Sequence, residues 1–263
     1  MSYFTANDGT KLFYQETGTG PDLVLVHGFG CTSQYFQKNV PVLSQHFHVV
    51  VPDLRGHGKS NIVKSGARLS RLAADVHELI QYLDLHNVTL LGWSMGVSVT
   101  WSYWDLFHGD RLAKFVFVDE PAADLETETQ HTGGPTYNEM MQFSNALITD
   151  FKPQMDQFVS RLMTDKNLDV SDLITDSQQS NPEFLSALFI NNVMNDWSDT
   201  IPTITLPSLV FCGKKSFLSW RLVKQVADTL PDSQFELFEN VGHMLFYEEE
   251  ARFDQTLITF VEK

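Results

Sequence analysis

Cysteine is nearly missing from this chain: Cys31 and Cys212 are the only two in 263 residues, far apart and outside any ligand-spacing motif. That excludes a disulfide framework and a cysteine-based zinc site. Basic charge is also scarce, with 18 Lys and Arg against 33 Asp and Glu and a net charge of −15. An acidic surface repels nucleic acid and anionic lipid headgroups, so neither is expected as a partner. Long uncharged apolar runs are absent, which argues against a membrane span. The opening Met1-Ser2-Tyr3-Phe4-Thr5-Ala6-Asn7-Asp8 lacks the basic start and apolar centre of a secretory signal. Together these absences lead us to expect a cytoplasmic protein. Gly58-Lys59-Ser60 ends like a phosphate loop, but the first glycine of that motif would have to stand where Asp53 stands. No cofactor and no metal are expected. The pattern carries no information on oligomeric state.

What is present is the alternation of a parallel α/β protein. Tyr3-Phe4-Thr5 and Lys11-Leu12-Phe13-Tyr14-Gln15 read as two strands joined by a turn at Asn7-Asp8-Gly9, where Asp-Gly supplies positive φ. Leu23-Val24-Leu25-Val26, His48-Val49-Val50-Val51, Val88-Thr89-Leu90-Leu91, Phe115-Val116-Phe117-Val118 and the run from Leu206 to Gly213 are apolar on consecutive positions. That is the pattern of strands covered on both faces. A further strand is expected at Gln234 to Phe238. Helical spacing marks Ser33 to Leu43, Leu69 to Leu85, Val97 to Phe107, Leu218 to Leu230 and Glu248 to Glu262. Between residues 122 and 203 strands vanish for about 80 residues, far more than a simple connection needs. Amphipathic stretches take their place. The expected fold class is therefore α/β, a mostly parallel sheet wrapped by helices, with the core in residues 1–121 and 204–263 and a helical cap inserted at 122–203.

The reactive feature is Leu91-Gly92-Trp93-Ser94-Met95-Gly96, where a strand breaks at a glycine-flanked serine and a helix follows. A turn this sharp forces the serine into strained backbone, and bulky residues two positions either side would collide. The serine hydroxyl is lifted clear of the sheet. The same turn directs the Met95 N–H toward the place where a substrate oxyanion would form.

Taken with His27-Gly28-Phe29-Gly30, Asp53-Leu54-Arg55-Gly56-His57-Gly58 and Gly242-His243, this motif makes the chain resemble the α/β-hydrolase family over nearly its whole length, the cap excepted. The resemblance implies an eight-stranded sheet, Ser94 as nucleophile, and a late histidine base with a carboxylate between them in the chain. Of nine histidines, His243 stands where the family places its base. His27 precedes the family's oxyanion loop, whose donor would be the Phe29 N–H. His57, Asp53 and Arg55 read as a tied-down structural turn.

The acid departs from the family pattern. An aspartate is usual shortly after the strand ending near Cys212, yet this chain reads Gly213-Lys214-Lys215-Ser216, and the next carboxylate is Asp228. Some members carry the acid one strand earlier, where this sequence offers Asp119 and Glu120. Asp119 is preferred because it is the first residue past Val118, at the carboxyl end of a parallel strand. Glu120, or no protein acid at all, stays open. Asp119 could equally do no more than end its strand.

A serine activated by histidine and faced by two N–H donors suits acyl transfer from a small-molecule ester or related acyl compound. Met140, Met141, Phe143, Leu147, Phe184, Phe189, Met194 and Trp197 are available to roof an apolar pocket, and Trp93 and Trp197 are the expected substrate contacts. Perhydrolysis or haloperoxidation, and lactone, amide or carbon–carbon cleavage, are compatible with the same residues. A ligand-binding pseudo-hydrolase is the alternative from another class.

Overall fold

The computed structural model describes residues 2–128 and 131–263. Thr129 and Gln130, part of the polar stretch expected to open the insertion, lie outside the described residues. Apolar runs without a polar face must be covered twice, and the chain does so by building one eight-stranded sheet with helices around it. Strands β1 (Ser2–Thr5) and β2 (Lys11–Thr17) form the expected antiparallel hairpin, with Gly9 at φ +85° in its turn. The rest are β3 (Asp22–Val26), β4 (His48–Pro52), β5 (Val88–Trp93), β6 (Leu112–Val118), β7 (Ser208–Gly213) and β8 (Ser233–Phe238), in the order β1-β2-β4-β3-β5-β6-β7-β8. β2 also pairs antiparallel with β4, and every later pairing is parallel. The chain leaves β3 for β4 on one side and returns to β5 on the other. The loops leaving β3 and β5 therefore diverge at a switch point, where open parallel sheets have a crevice.

Helices α1 (Val40–Leu43), α2 (Leu69–Tyr82) and α3 (Met95–Phe107) precede β6. The stretch from Ser33 to Leu43 was expected to be one helix; it is a 3₁₀ turn over Ser33–Phe36 followed by the short α1. Pro41 explains the break, since a residue without an N–H is tolerated only in a first turn and the helix has to restart there. α2 buries Leu69, Leu72, Ala73, Val76, Leu79 and Ile80, the stripe legible in its spacing.

Four helices, α4 (Tyr137–Thr149), α5 (Phe151–Leu162), α6 (Ser171–Ser177) and α7 (Pro182–Val193), fill the connection between β6 and β7. α4 starts at a reciprocal Thr136–Glu139 capping box, and α7 starts with Asn181 accepting from the Phe184 N–H ahead of Pro182. The two ends of this segment are stitched together where Trp197 N–H donates to the Ala122 carbonyl at 2.9 Å and Ala123 bridges Asp196.

After β7 come α8 (Trp220–Thr229), α9 (Leu245–Glu248) and α10 (Glu250–Val261). The closing helix expected from Glu248 is thus preceded by a separate turn of helix. Asn39 Nδ2 fastens this region by donating to the Phe246 carbonyl at 2.9 Å and to Asp254 Oδ1 at 2.8 Å. Asp254 is buried, its Oδ2 has no partner among the described residues, and burial raises its pKa to about 7.

A carboxyl that holds its proton more tightly folded than unfolded costs stability as pH climbs from its unfolded value near 4 to its folded value. Asp254→Asn removes that titration. The variant's Tm should therefore gain on wild type between pH 5 and pH 7 and hold a constant offset above pH 8. An offset that stays the same from pH 5 to pH 8 in thermal unfolding would show that Asp254 titrates normally.

Candidate active site

Ser94 sits between β5 and α3 at φ +54°, ψ −131°, a strained conformation for a residue with a side chain, worth about 1–3 kcal/mol. Its N–H is held by the Val118 carbonyl at 2.9 Å, and its carbonyl accepts from Val97 at 2.7 Å. The glycines flanking it are required by contact. A Cβ on Gly92 would lie 2.4 Å from the Gly96 carbonyl oxygen, and one on Gly96 would lie 2.4 Å from that of Val26. The elbow therefore closes only because both side chains are missing.

The loop after β3 presses on the same turn, where a Cβ on Gly28 would come within 3.1 Å of the Ser94 Cβ. His27 fixes this loop. Its Nδ1 lies 2.8 Å from the Gly28 carbonyl, and its Nε2 accepts the Leu54 N–H at 2.9 Å. The protonated nitrogen is therefore Nδ1, as it is in His57, whose Nδ1 meets the Arg55 carbonyl at 2.9 Å while Nε2 accepts the Gly30 N–H at 3.3 Å. Burial pushes both rings down, His27 to about 4 and His57 to about 3, so they stay neutral. The Gly28 carbonyl and the Phe29 N–H belong to one trans peptide and point in opposite directions. Holding the carbonyl on His27 therefore turns the Phe29 N–H to the other side. Among the described residues neither the Phe29 nor the Met95 N–H donates to a protein acceptor, and both residues line the cavity that holds Ser94.

The Asp53–His57 turn behaves as a brace. Asp53 accepts from the Ser33 N–H at 2.7 Å and the Lys59 N–H at 2.8 Å. Arg55, almost wholly buried, makes a two-pronged pair with Asp75 at 2.7 and 2.8 Å and a further bond to Asp8 at 2.7 Å.

His243 is 1% exposed, and its Nδ1 lies 2.7 Å from Asp119 Oδ2. Trp93 Nε1 donates to the His243 carbonyl at 3.0 Å, and the His243 ring packs between Trp93 and Phe217, at centroid distances of 5.3 and 4.6 Å. Asp119 stands at φ +55°, fully buried at the end of β6. Its second oxygen, Oδ1, takes the Gly213 N–H at 3.2 Å and the Cys212 thiol at 3.1 Å from the adjacent strand. Burial and the carboxylate beside it raise the Cys212 pKa, which keeps the sulfur a proton donor. With Nδ1–H committed to a carboxylate, His243 presents a lone pair at Nε2. That buried atom has no hydrogen-bond partner among the described residues, so the bond to Ser94 is not formed in this state. Catalytic hydrogen bonds are often longer or misaligned before substrate binds.

Glu120 does not reach His243. It turns toward α3 and α7, where Ser98 Oγ stands 3.4 Å away, and it borders the cavity with Asp124, Asn192, Phe143, Phe158, Phe189 and Arg161. This space measures about 410 Å³. Phe143 and Phe189 belong to it as roof residues, whereas Phe184 packs over Gly56 and His57, and Met140 and Leu147 are buried. The two expected tryptophan contacts are corrected: neither Trp93 nor Trp197 is in the lining. Trp93 is turned into the core to hold the His243 loop, and Trp197 packs on Trp101 at 6.2 Å. Cys212, Gly213, Asp124 and Asn192 escaped the sequence reading because no local motif marks them. Only the β6–β7 pairing and the return of α7 over the sheet bring them here.

The family described as alpha/beta hydrolase fold matches residues 21–250. Among curated proteins, the chain is 29% identical to a pimeloyl-[acyl-carrier protein] methyl ester esterase of Vibrio vulnificus, over 97% of this chain and 99% of that one. Among solved structures, an esterase from Exiguobacterium antarcticum superposes with a TM-score of 0.94 at 25% identity, covering 100% and 99% of the two chains. A bromoperoxidase from Bacillus anthracis shares the fold, with a TM-score of 0.93 at 23% identity and full coverage of both chains. This protein belongs to the alpha/beta hydrolase family.

Proposed function

We propose that the protein is a serine-dependent hydrolase of small carboxylic esters that works through an acyl-enzyme, with Ser94, His243 and Asp119 as its triad. The observation that carries this reading is the 2.7 Å His243–Asp119 pairing, which leaves Nε2 without a partner among the described residues on a ring that packs against Trp93, the residue before the elbow serine. Substrate entering the cavity brings the Ser94 hydroxyl onto Nε2. The oxygen attacks the ester carbonyl as Nε2 takes its proton, and Asp119 holds the imidazolium that results. The unoccupied N–H groups of Phe29 and Met95 receive the oxyanion, each contributing roughly 3 kcal/mol to the transition state. Collapse expels the alcohol, protonated by His243, and water then repeats the sequence on the acyl-enzyme.

The four helices between β6 and β7 act as a cap. Phe143, Phe158 and Phe189 give the acyl or alcohol chain an apolar wall. Similarity to esterases over nearly the full length supports this substrate class. A binding-only reading drew on the missing carboxylate after Gly213. Asp119, supplied from the neighbouring strand, removes that motive. Two buried free thiols suit a reducing, cytoplasmic compartment, and among the described residues no helix is long and apolar enough to cross a membrane.

A fluorophosphonate probe should label the wild type at Ser94 and leave Ser94→Ala untouched, and p-nitrophenyl butyrate turnover should fall to background in that variant. Labelling that persists in Ser94→Ala would place the nucleophile elsewhere. Asp119→Asn should lose kcat by about 10⁴-fold, as expected when a triad carboxylate no longer fixes the histidine tautomer. The loss in Glu120→Gln should be far smaller. If the two variants fell equally, Asp119 would not be the acid.

A further inference from the structure

The mechanism makes no use of two carboxyls that border the cavity. Glu120 is 3% exposed and Asp124 lies beside it; burial raises both pKa values, Asp124 to about 7, and at Glu120 the nearby Asp124 and Asp119 carboxyls add to the rise. The Ser98 and Asn192 side chains oppose it there by hydrogen bonding to Glu120. Asn192, 8% exposed, borders the same cavity, and among the described residues its buried Oδ1 has no hydrogen-bond donor. Asp124 Oδ1 is likewise unmatched. A buried acceptor left empty costs about 1–3 kcal/mol, and because both atoms are closed to solvent a donor from the cavity reaches them only after a small local shift of the wall.

We propose that Glu120, Asp124 and Asn192 form a subsite for a protonated amine carried by the ester substrate, an inference that rests on the hydrolase reading above. An ammonium or trialkylammonium N–H brings the positive charge this wall lacks, together with a donor. The chain does not supply its own. Arg161 is the one basic residue in the lining, and its guanidinium lies 4.8 Å over the Phe217 ring, paired with neither carboxyl. Nor does a metal ion fit, because no cluster of three or more ligating side chains exists among the described residues. The apolar part of such a substrate packs on Phe143 and Phe189.

The test compares two esters of equal size and shape, 2-(dimethylamino)ethyl butyrate, protonated at pH 7.5, and 3-methylbutyl butyrate. In wild type the kcat/KM ratio should favour the amine by about tenfold or more at low salt, the effect of one charge-assisted hydrogen bond. The gain should appear mainly in KM. In Asp124→Asn and Glu120→Gln the ratio should fall toward one. A wild-type ratio of one or less overturns the proposal, as does a ratio that neither variant moves. If neither ester is turned over and the fluorophosphonate probe fails on Ser94, the hydrolase reading is what has failed. The subsite is then judged by thermal shift with N,N-dimethyl-2-phenylethylamine. A rise in Tm for wild type but not for Asp124→Asn upholds it, and no rise in wild type ends it. Should either variant fail to fold, the wild-type ratio and the wild-type thermal shift still decide.

Discussion

A single buried carboxylate, Asp119, holds the site together. Its two oxygens draw on three donors from two segments: the His243 ring from the loop before α9, and the Gly213 N–H and Cys212 thiol from the end of β7. A fully buried negative charge is costly unless it is both paired and hydrogen-bonded. Asp119 meets both conditions only when β7 is in register with β6 and the histidine loop is folded down. Gly213 makes that descent possible, since a Cβ there would lie 2.0 Å from the Gly242 carbonyl oxygen. The hydrogen-bonded pair therefore works as a check on the fold as well as an orienting device for an imidazole.

The opposite wall is set without charge. His27 and His57 are kept neutral by burial and use one nitrogen as donor and one as acceptor, tying the loop after β3 to the turn after β4. Neutral imidazoles suit this place because they satisfy buried peptide groups with no ionic desolvation cost. Arg55, braced by Asp75 and Asp8, anchors the same turn from behind. The loop carrying Phe29 is thereby fixed, and among the described residues its N–H and that of Met95 have no protein acceptor, as the proposed oxyanion site requires.

The cavity between these walls is unevenly furnished. One part is aromatic, from Phe29, Phe143, Phe158 and Phe189; another holds carboxyls whose proton affinity is raised by burial. Family membership accounts for the elbow, the histidine and the sheet. It does not account for acceptors left empty beside them, which are a property of this chain's own residues at 120, 124 and 192.

The primary sequence alone determined the sheet, since uninterrupted apolar runs admit few environments, and it marked Ser94 and His243, since glycines two positions either side of a serine are demanded by local contact. As a carboxylate partner for His243 it offered Asp119 or Glu120, with the option of no protein acid at all left open. Seeing which of them meets His243 took tertiary structure: both lie past the end of β6, Asp119 at φ +55°, and only the folded chain shows Asp119 at His243 while Glu120 turns toward Ser98. The same limit explains Trp93 and Trp197, whose large side chains suggested substrate contact but whose rings are consumed by core packing. Local chemistry is written in neighbours along the chain. Which face a side chain presents, and what it finds there, depends on contacts between segments more than a hundred residues apart, as in the pairing of residues 119 and 243.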